Sequence, residues 1–147
     1  RRGAVPVAGR QKLHLDHPRV VDAGLAVHRA GAESGEFVKW LIELIKKYYG
    51  RVQESNKLFS SFQEGWKTDR GMIYIVFGAP NNVSKRKNGE IWTYGEVGNP
   101  RSLVFIFTKV INPFTDNDYY LERSEVFKAP WYEAVDMWRQ GRIYLDN

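Results

Sequence analysis

The chain has 147 residues, 22 basic against 17 acidic side chains, a net charge of +5 and no cysteine. That length fits one domain with a tail and buries enough surface to fold without staples, while the missing Cys excludes disulfides, Cys-ligated zinc, iron–sulfur clusters and thiol nucleophiles. No apolar run approaches the ~18 residues of a membrane helix, and the mild, diffuse positive balance suits an anionic surface or polymer without demanding either.

The 5 Trp, 8 Tyr and 8 Phe all follow residue 36, whereas His14, His17 and His28 all precede it. Aromatic side chains carry the largest apolar area per residue and dominate cores. The folded domain is therefore expected at 37–147, with 1–36 a poorly ordered arm, a linker or a remnant of cloning. The start at Arg1 rather than Met, with no signal peptide in view, reads as a piece of a longer or processed protein. Within the arm, Val20, Val21, Leu25, Val27 and Ala30 can form one short amphipathic helix, and residues 30–36 read as a linker.

The clearest helix covers 37–49. Phe37, Trp40, Leu41, Leu44, Ile45, Tyr48 and Tyr49 form a one-sided apolar stripe at helical spacing. Lys39, Glu43, Lys46 and Lys47 lie off the stripe, and Ser34 or Gly35 can start the helix. Gly50 either ends it or only weakens it, since Val52, Leu58, Phe59 and Phe62 continue or restart the pattern. Residues 72–77, Met-Ile-Tyr-Ile-Val-Phe, are β-branched and aromatic and read as a strand buried on both faces. A turn at 78–82 leads to a basic hairpin tip at Lys85-Arg86-Lys87, where Asn88-Gly89 suits a type I′ turn. Residues 91–94, 103–108 and 119–123 read as further strands, the second again apolar on both faces. Pro130 suits the first turn of a closing helix with Trp131, Val135 and Trp138 on one stripe, and Gly141 suits its end. The expected fold class is α+β: a long N-terminal helix, a small antiparallel sheet of about four strands in meander order, and a short C-terminal helix. The doubly apolar strands imply a sheet covered on both faces.

Gly65-Trp66-Lys67-Thr68-Asp69 resembles the signature of the GWxTD domain family. Around it, Arg51-Val52, Asn56 and Phe59 are similar to the family's helical run. Residues 70–80, Glu90-Ile91-Trp92-Thr93-Tyr94, Asn112-Pro113-Phe114, Asp118-Tyr119-Tyr120 and the Trp131-Tyr132…Trp138 helix extend the likeness over 37–147. The resemblance implies a module excised from a larger bacterial protein, mainly of the Bacteroidetes, that is exported to the periplasm or held as an outer-membrane lipoprotein. The family carries no assigned catalytic residues, so none is transferred to this chain.

Residues 65–71 admit two readings. In one, Trp66 is a stacking platform, with Thr68, Asp69 and Arg70 as polar contacts for a partner. In the other, Gly65 takes a left-handed helix end, Trp66 caps the core, Thr68 and Asp69 tie a tight turn, and Gly71 admits the chain to the sheet. Trp131 and Tyr132 complete the candidate binding aromatics, since interfaces favour such anchors. Lys85, Arg86 and Lys87 could contact phosphate, acidic lipid or an acidic partner. Arg70-Gly-Met-Ile-Tyr-Ile-Val-Phe matches an RNA-recognition strand only in part, because Met72 replaces a stacking aromatic and Tyr74 and Phe77 point to opposite faces of a strand. Asp116-Asn117-Asp118 lacks the later ligands of a calcium loop. His14-Leu-Asp-His17 precedes a proline that disfavours helix. No cofactor or metal is called for.

The segment 37–147 lacks His, Cys, a Gly-x-Ser-x-Gly elbow and a phosphate loop, so acid–base chemistry would need an Asp/Glu pair assembled by folding, with Asp69, Asp116 and Asp118 as candidates. The expected role is a non-catalytic binding or structural module of a bacterial cell-envelope protein. Its expected partner is a protein or another domain of a parent chain. A carboxylate-based hydrolase or carbohydrate-processing domain, and nucleic-acid binding through the basic loop, stand as alternatives.

Overall fold

The computed structural model describes residues 34–143. The expected arm and the His14–His17 pair lie outside the described residues, except that Ser34-Gly35-Glu36 belongs to the first helix rather than to a linker. Among the described residues, three α-helices and a four-stranded sheet form an α+β fold with helices at both ends of a meander.

Helix α1 is Ser34–Phe59, 26 residues without a break at Gly50. Its second half is the core-facing half: Arg51, Ser55 and Phe59 recur every four residues and are all buried. The first half buries mainly Leu44, while Val38, Ile42 and Tyr49 remain largely exposed.

The 3-10 turn Gly65–Lys67 leads into α2, Asp69–Phe77. Residues 72–77 are thus helical, not the expected strand. The helix is central and buried nearly all round, with only Asp69 and Tyr74 partly exposed, so its apolar positions show no one-sided period. A short apolar run of this kind cannot be told from a buried strand by periodicity. What decides the matter is its start, where the Thr68 hydroxyl accepts the Gly71 N–H at 3.0 Å, a standard N-cap for the orphan donors of a first turn. Gly78, at φ 85°, ends the helix, and its N–H donates to the Tyr74 carbonyl.

Strands β1 (Asn82–Arg86), β2 (Gly89–Tyr94), β3 (Leu103–Lys109) and β4 (Tyr119–Leu121) pair antiparallel in sequence order. The register pairs Arg86 with Gly89, so the hairpin turn is Lys87-Asn88 rather than Asn88-Gly89. Gly89 is needed for space: a Cβ there would sit 2.1 Å from the Phe107 carbonyl oxygen. Trp92, Tyr94, Phe105, Phe107 and Leu121 make the buried face and pack with Phe59, Ile73, Val76, Phe77, Trp131, Ala134 and Val135 of the helices. The opposite face carries Val104, Ile106 and Tyr120, each more than a third exposed. Among the described residues the sheet is therefore not buried on both sides.

Helix α3, Lys128–Arg139, buries Trp131, Ala134, Val135 and Trp138. Gly141 follows at φ 72°, where a Cβ would overlap the Trp40 ring. The Trp40 indole donates to the Gly141 carbonyl at 3.1 Å, locking the start of α1 to the end of α3. The buried carbonyls at the end of α2 are also satisfied from both sides. Arg51 donates to the Ile75 carbonyl at 2.9 Å and Trp138 to that of Val76 at 3.0 Å, which accounts for a buried arginine in α1.

Candidate functional site

The segment 65–71 is built around two glycines that serve as contact points. A Cβ on Gly65 would lie 1.9 Å from the Ser55 carbonyl oxygen of α1, and one on Gly71 would lie 1.9 Å from the Gly65 carbonyl oxygen. Three backbones therefore touch in sequence, α1 on the turn and the turn on α2, and no side chain fits between them. Gly65 is not in the expected left-handed conformation, and Gly71 enters a helix rather than a sheet.

The other residues of the segment join this crossing to the rest of the fold. The Trp66 N–H donates to Asn56 Oδ1 at 3.1 Å; its ring is half-buried, with the Lys67 ammonium 5.0 Å from the ring centroid. Thr68 Oγ1 donates to the Gly65 carbonyl at 2.7 Å as well as capping α2. Asp69 reaches across to β4: Oδ2 accepts the Leu121 N–H at 2.8 Å and Oδ1 pairs with Arg123 at 3.3 Å. The tie is to a strand 52 residues away, not to its own turn.

Arg70 is the buried centre, 4% exposed. Its guanidinium lies 3.8 Å from the Tyr119 ring centroid and 5.2 Å from that of Phe59. One nitrogen donates to both the carbonyl and the side-chain oxygen of Asn117, and the other pairs with Glu90 at 3.4 Å. Burial draws its pKa below the ordinary value, and Glu90 is the main opposing influence. Glu90 also accepts the Trp92 indole N–H, and Asn117 donates to the Leu58 and Ser60 carbonyls at the end of α1. Arg70 thus links α2, β2, the β3–β4 loop and, through Asn117, α1.

Glu90 was visible in the sequence only within a strand. Asn117 was visible only in a turn with two aspartates. No spacing rule connects either of them to Arg70.

The remaining candidates disperse. Trp131 is 4% exposed and packs on Phe77, whereas Tyr132 is 66% exposed beside a narrow apolar slot formed with Phe127 and Ser124. Lys85, Arg86 and Lys87 are all exposed at the β1–β2 hairpin. Of the candidate carboxylates, Asp69 and Asp118 border one open groove of about 530 Å³, joined there by Glu122, while Asp116 lies outside it. Each of the three already has a partner: Asp118 accepts from Asn112 and Glu122 from Thr108. Among the described residues no cluster of His, Asp and Glu converges to hold a metal ion, and no helix is long and apolar enough to cross a membrane.

Compared with known proteins, the GWxTD domain family matches residues 38–140. No curated protein and no solved structure matches the chain.

Proposed function

Since the chain belongs to the GWxTD domain family, we propose that it is a non-catalytic structural and binding module of a bacterial cell-envelope protein, its signature bracing the fold while exposed aromatics meet a protein partner. The observation that carries this reading is where the polar groups of the signature go. Thr68, Asp69 and Arg70 each bond within the fold, to Gly65 and Gly71, to Leu121 and Arg123, and to Glu90 and Asn117. To reach a substrate they would have to give up those bonds, and a buried charge loses most when its partners leave. The envelope setting is supported by what the family resemblance implies. Tyr132 is the natural protein anchor, with the half-buried Trp66 second; Trp131 supports the surface from within.

One observation favours a second reading. The groove bordered by Asp69, Asp118 and Glu122 has the carboxylates that hydrolysis of a glycosidic bond would use. A paired experiment separates the two. On the first reading, Tyr132→Ala and Trp66→Ala keep the melting transition and lose a co-purifying envelope protein; retention of that protein overturns these anchors. Asp69→Asn then lowers stability and alters no hydrolysis. Loss of glycosidase turnover at unchanged stability would establish the carboxylate reading instead.

A further inference from the structure

The β1–β2 turn and the β3–β4 loop leave the same end of the sheet. The Lys109 N–H donates to the Asn88 carbonyl at 2.8 Å, and Lys87, Lys109, Ile111, Pro113 and Phe114 border one open concavity of about 820 Å³. Ile111 is 101% exposed and Phe114 88%. These two side chains project from a loop that is internally fastened. Asn112 bridges Thr115, the Phe114 N–H donates to Asn112 Oδ1 at 3.0 Å, and the Asn117 N–H donates to Thr115 Oγ1 at 3.1 Å. The Val110 N–H closes the base of the loop on the Asp118 carbonyl at 2.8 Å. Asn117 is in turn fixed by Arg70 and by the end of α1.

Large apolar groups held in water by an ordered loop cost hydration free energy without adding to the core. Lys87 and Lys109 border the same concavity, and Lys85 and Arg86 end the adjoining strand β1; all four are exposed and without an ion pair among the described residues. The one carboxylate bordering the concavity is Asp116. Protruding apolar tips flanked by uncompensated cations are the side-chain pattern of an interfacial membrane contact. Apolar groups enter the headgroup–acyl boundary, and cations stay among the phosphates.

We propose that this end of the sheet docks onto an anionic phospholipid surface, with Ile111 and Phe114 inserted and Lys85, Arg86, Lys87 and Lys109 on the headgroups. The proposal does not rest on the protein-binding surface at Tyr132, which lies on α3, so either can fail alone. A polyanion such as nucleic acid would engage the same cations but has no use for Ile111 and Phe114.

The test is co-sedimentation of the full chain with phosphatidylcholine vesicles with and without phosphatidylglycerol. Binding is expected only with the anionic lipid, weakening as salt shortens the Debye length below ~10 Å. The Ile111→Ser/Phe114→Ser variant, altered outside the core and so expected to keep its melting transition, should lose on the order of a hundredfold in partition. Lys85→Gln and Lys87→Gln should each lose about fivefold. The Cys-free chain allows a second readout. An environment-sensitive dye on Phe114→Cys should blue-shift on anionic vesicles, while the same dye on Val97→Cys, in the β2–β3 loop at the other end of the sheet, should not. No binding at low salt, a hundredfold effect that fails to appear, or equal shifts at both labels overturns the proposal. Single-stranded DNA binding equally well to the native and double-serine chains, with no vesicle partition, would mark the patch as a polyanion site instead.

Discussion

Replacing Arg70 by Met tests whether the signature braces the fold. Methionine fills similar length without charge. In the native fold the guanidinium pairs with Glu90, donates to Asn117 and lies on the Tyr119 ring. Its removal leaves Glu90, whose side chain is only 13% exposed, facing an apolar group. Breaking a buried pair by deleting one partner costs about 3–5 kcal/mol. For a folded unit of this size that is a fall in Tm of roughly 10–25 °C. The assay is urea unfolding followed by tryptophan fluorescence, with the slope checked for constancy so that a change in midpoint is a change in stability. Arg70→Lys should fall between native and Met, because an ammonium lacks the planar fork that serves Glu90 and Asn117 together. Arg70→Met combined with Glu90→Leu should recover part of the loss, since no carboxylate then lacks its counter-charge, while the Trp92 indole N–H loses its acceptor. A cost under about 1 kcal/mol for Arg70→Met, within the range of an exposed ion pair, would refute the reasoning.

The glycines offer an internal contrast. Gly65→Ala and Gly71→Ala each drive a Cβ to within 1.9 Å of a backbone oxygen, so both should cost at least the ~1–3 kcal/mol of overpacking, read as a lower urea midpoint or loss of soluble protein. Gly50→Ala, mid-helix with nothing within 4 Å, should instead raise stability by about 0.5–1 kcal/mol in the same assay. Tyr74 supplies a pH test. Its hydroxyl donates to Glu54 at 2.6 Å, and burial followed by that hydrogen bond pushes its pKa up to about 12 from 10.0. The folded state then holds a proton that the unfolded chain has released, so the contribution is intact below pH 10 and is lost as pH rises toward 12. The alkaline decline of the urea midpoint should be shallower in Tyr74→Phe, and an unchanged profile would remove Tyr74 as its source.

What the sequence made legible were elements with a one-sided period or a turn on each side. The α1 stripe and the Trp131-Val135-Trp138 spacing each show one apolar face, the β2 and β3 runs are set off by turns, and each forms the expected element. Residues 72–77 misled because a helix wrapped on nearly every side has no such face to report. The informative mark was Thr68 ahead of the run, an N-cap residue that the strand reading passed over. Within the signature, the Thr68 cap of α2 is a local tie. The signature's other ties are not. Asp69 and Arg70 bond to residues 52 and 47 positions further along, and pairs at such separations leave no periodic trace. The exposed Ile111 and Phe114 were equally hidden, because a loop containing Asn, Pro and Asp reads as a turn whatever its apolar residues face.

The crossing at 65–71 and the exposed loop belong to one arrangement. Arg70 holds Asn117 by two bonds, and Asn117 in turn holds the end of α1 and turns the chain between Thr115 and Asp118. For Ile111 and Phe114 to fold back onto the body, this loop would have to bend against those bonds, and Arg70 would lose partners in a buried setting. The hydrophobic effect favours that collapse and is opposed by the loss of the Asn117 hydrogen bonds to a buried guanidinium. The brace therefore has a consequence at the far surface, since it keeps apolar tips in water. It follows that Arg70→Met, if it leaves a folded chain, should also weaken vesicle partition. That loss would arise from the position of the loop, since Arg70 itself lies among buried residues.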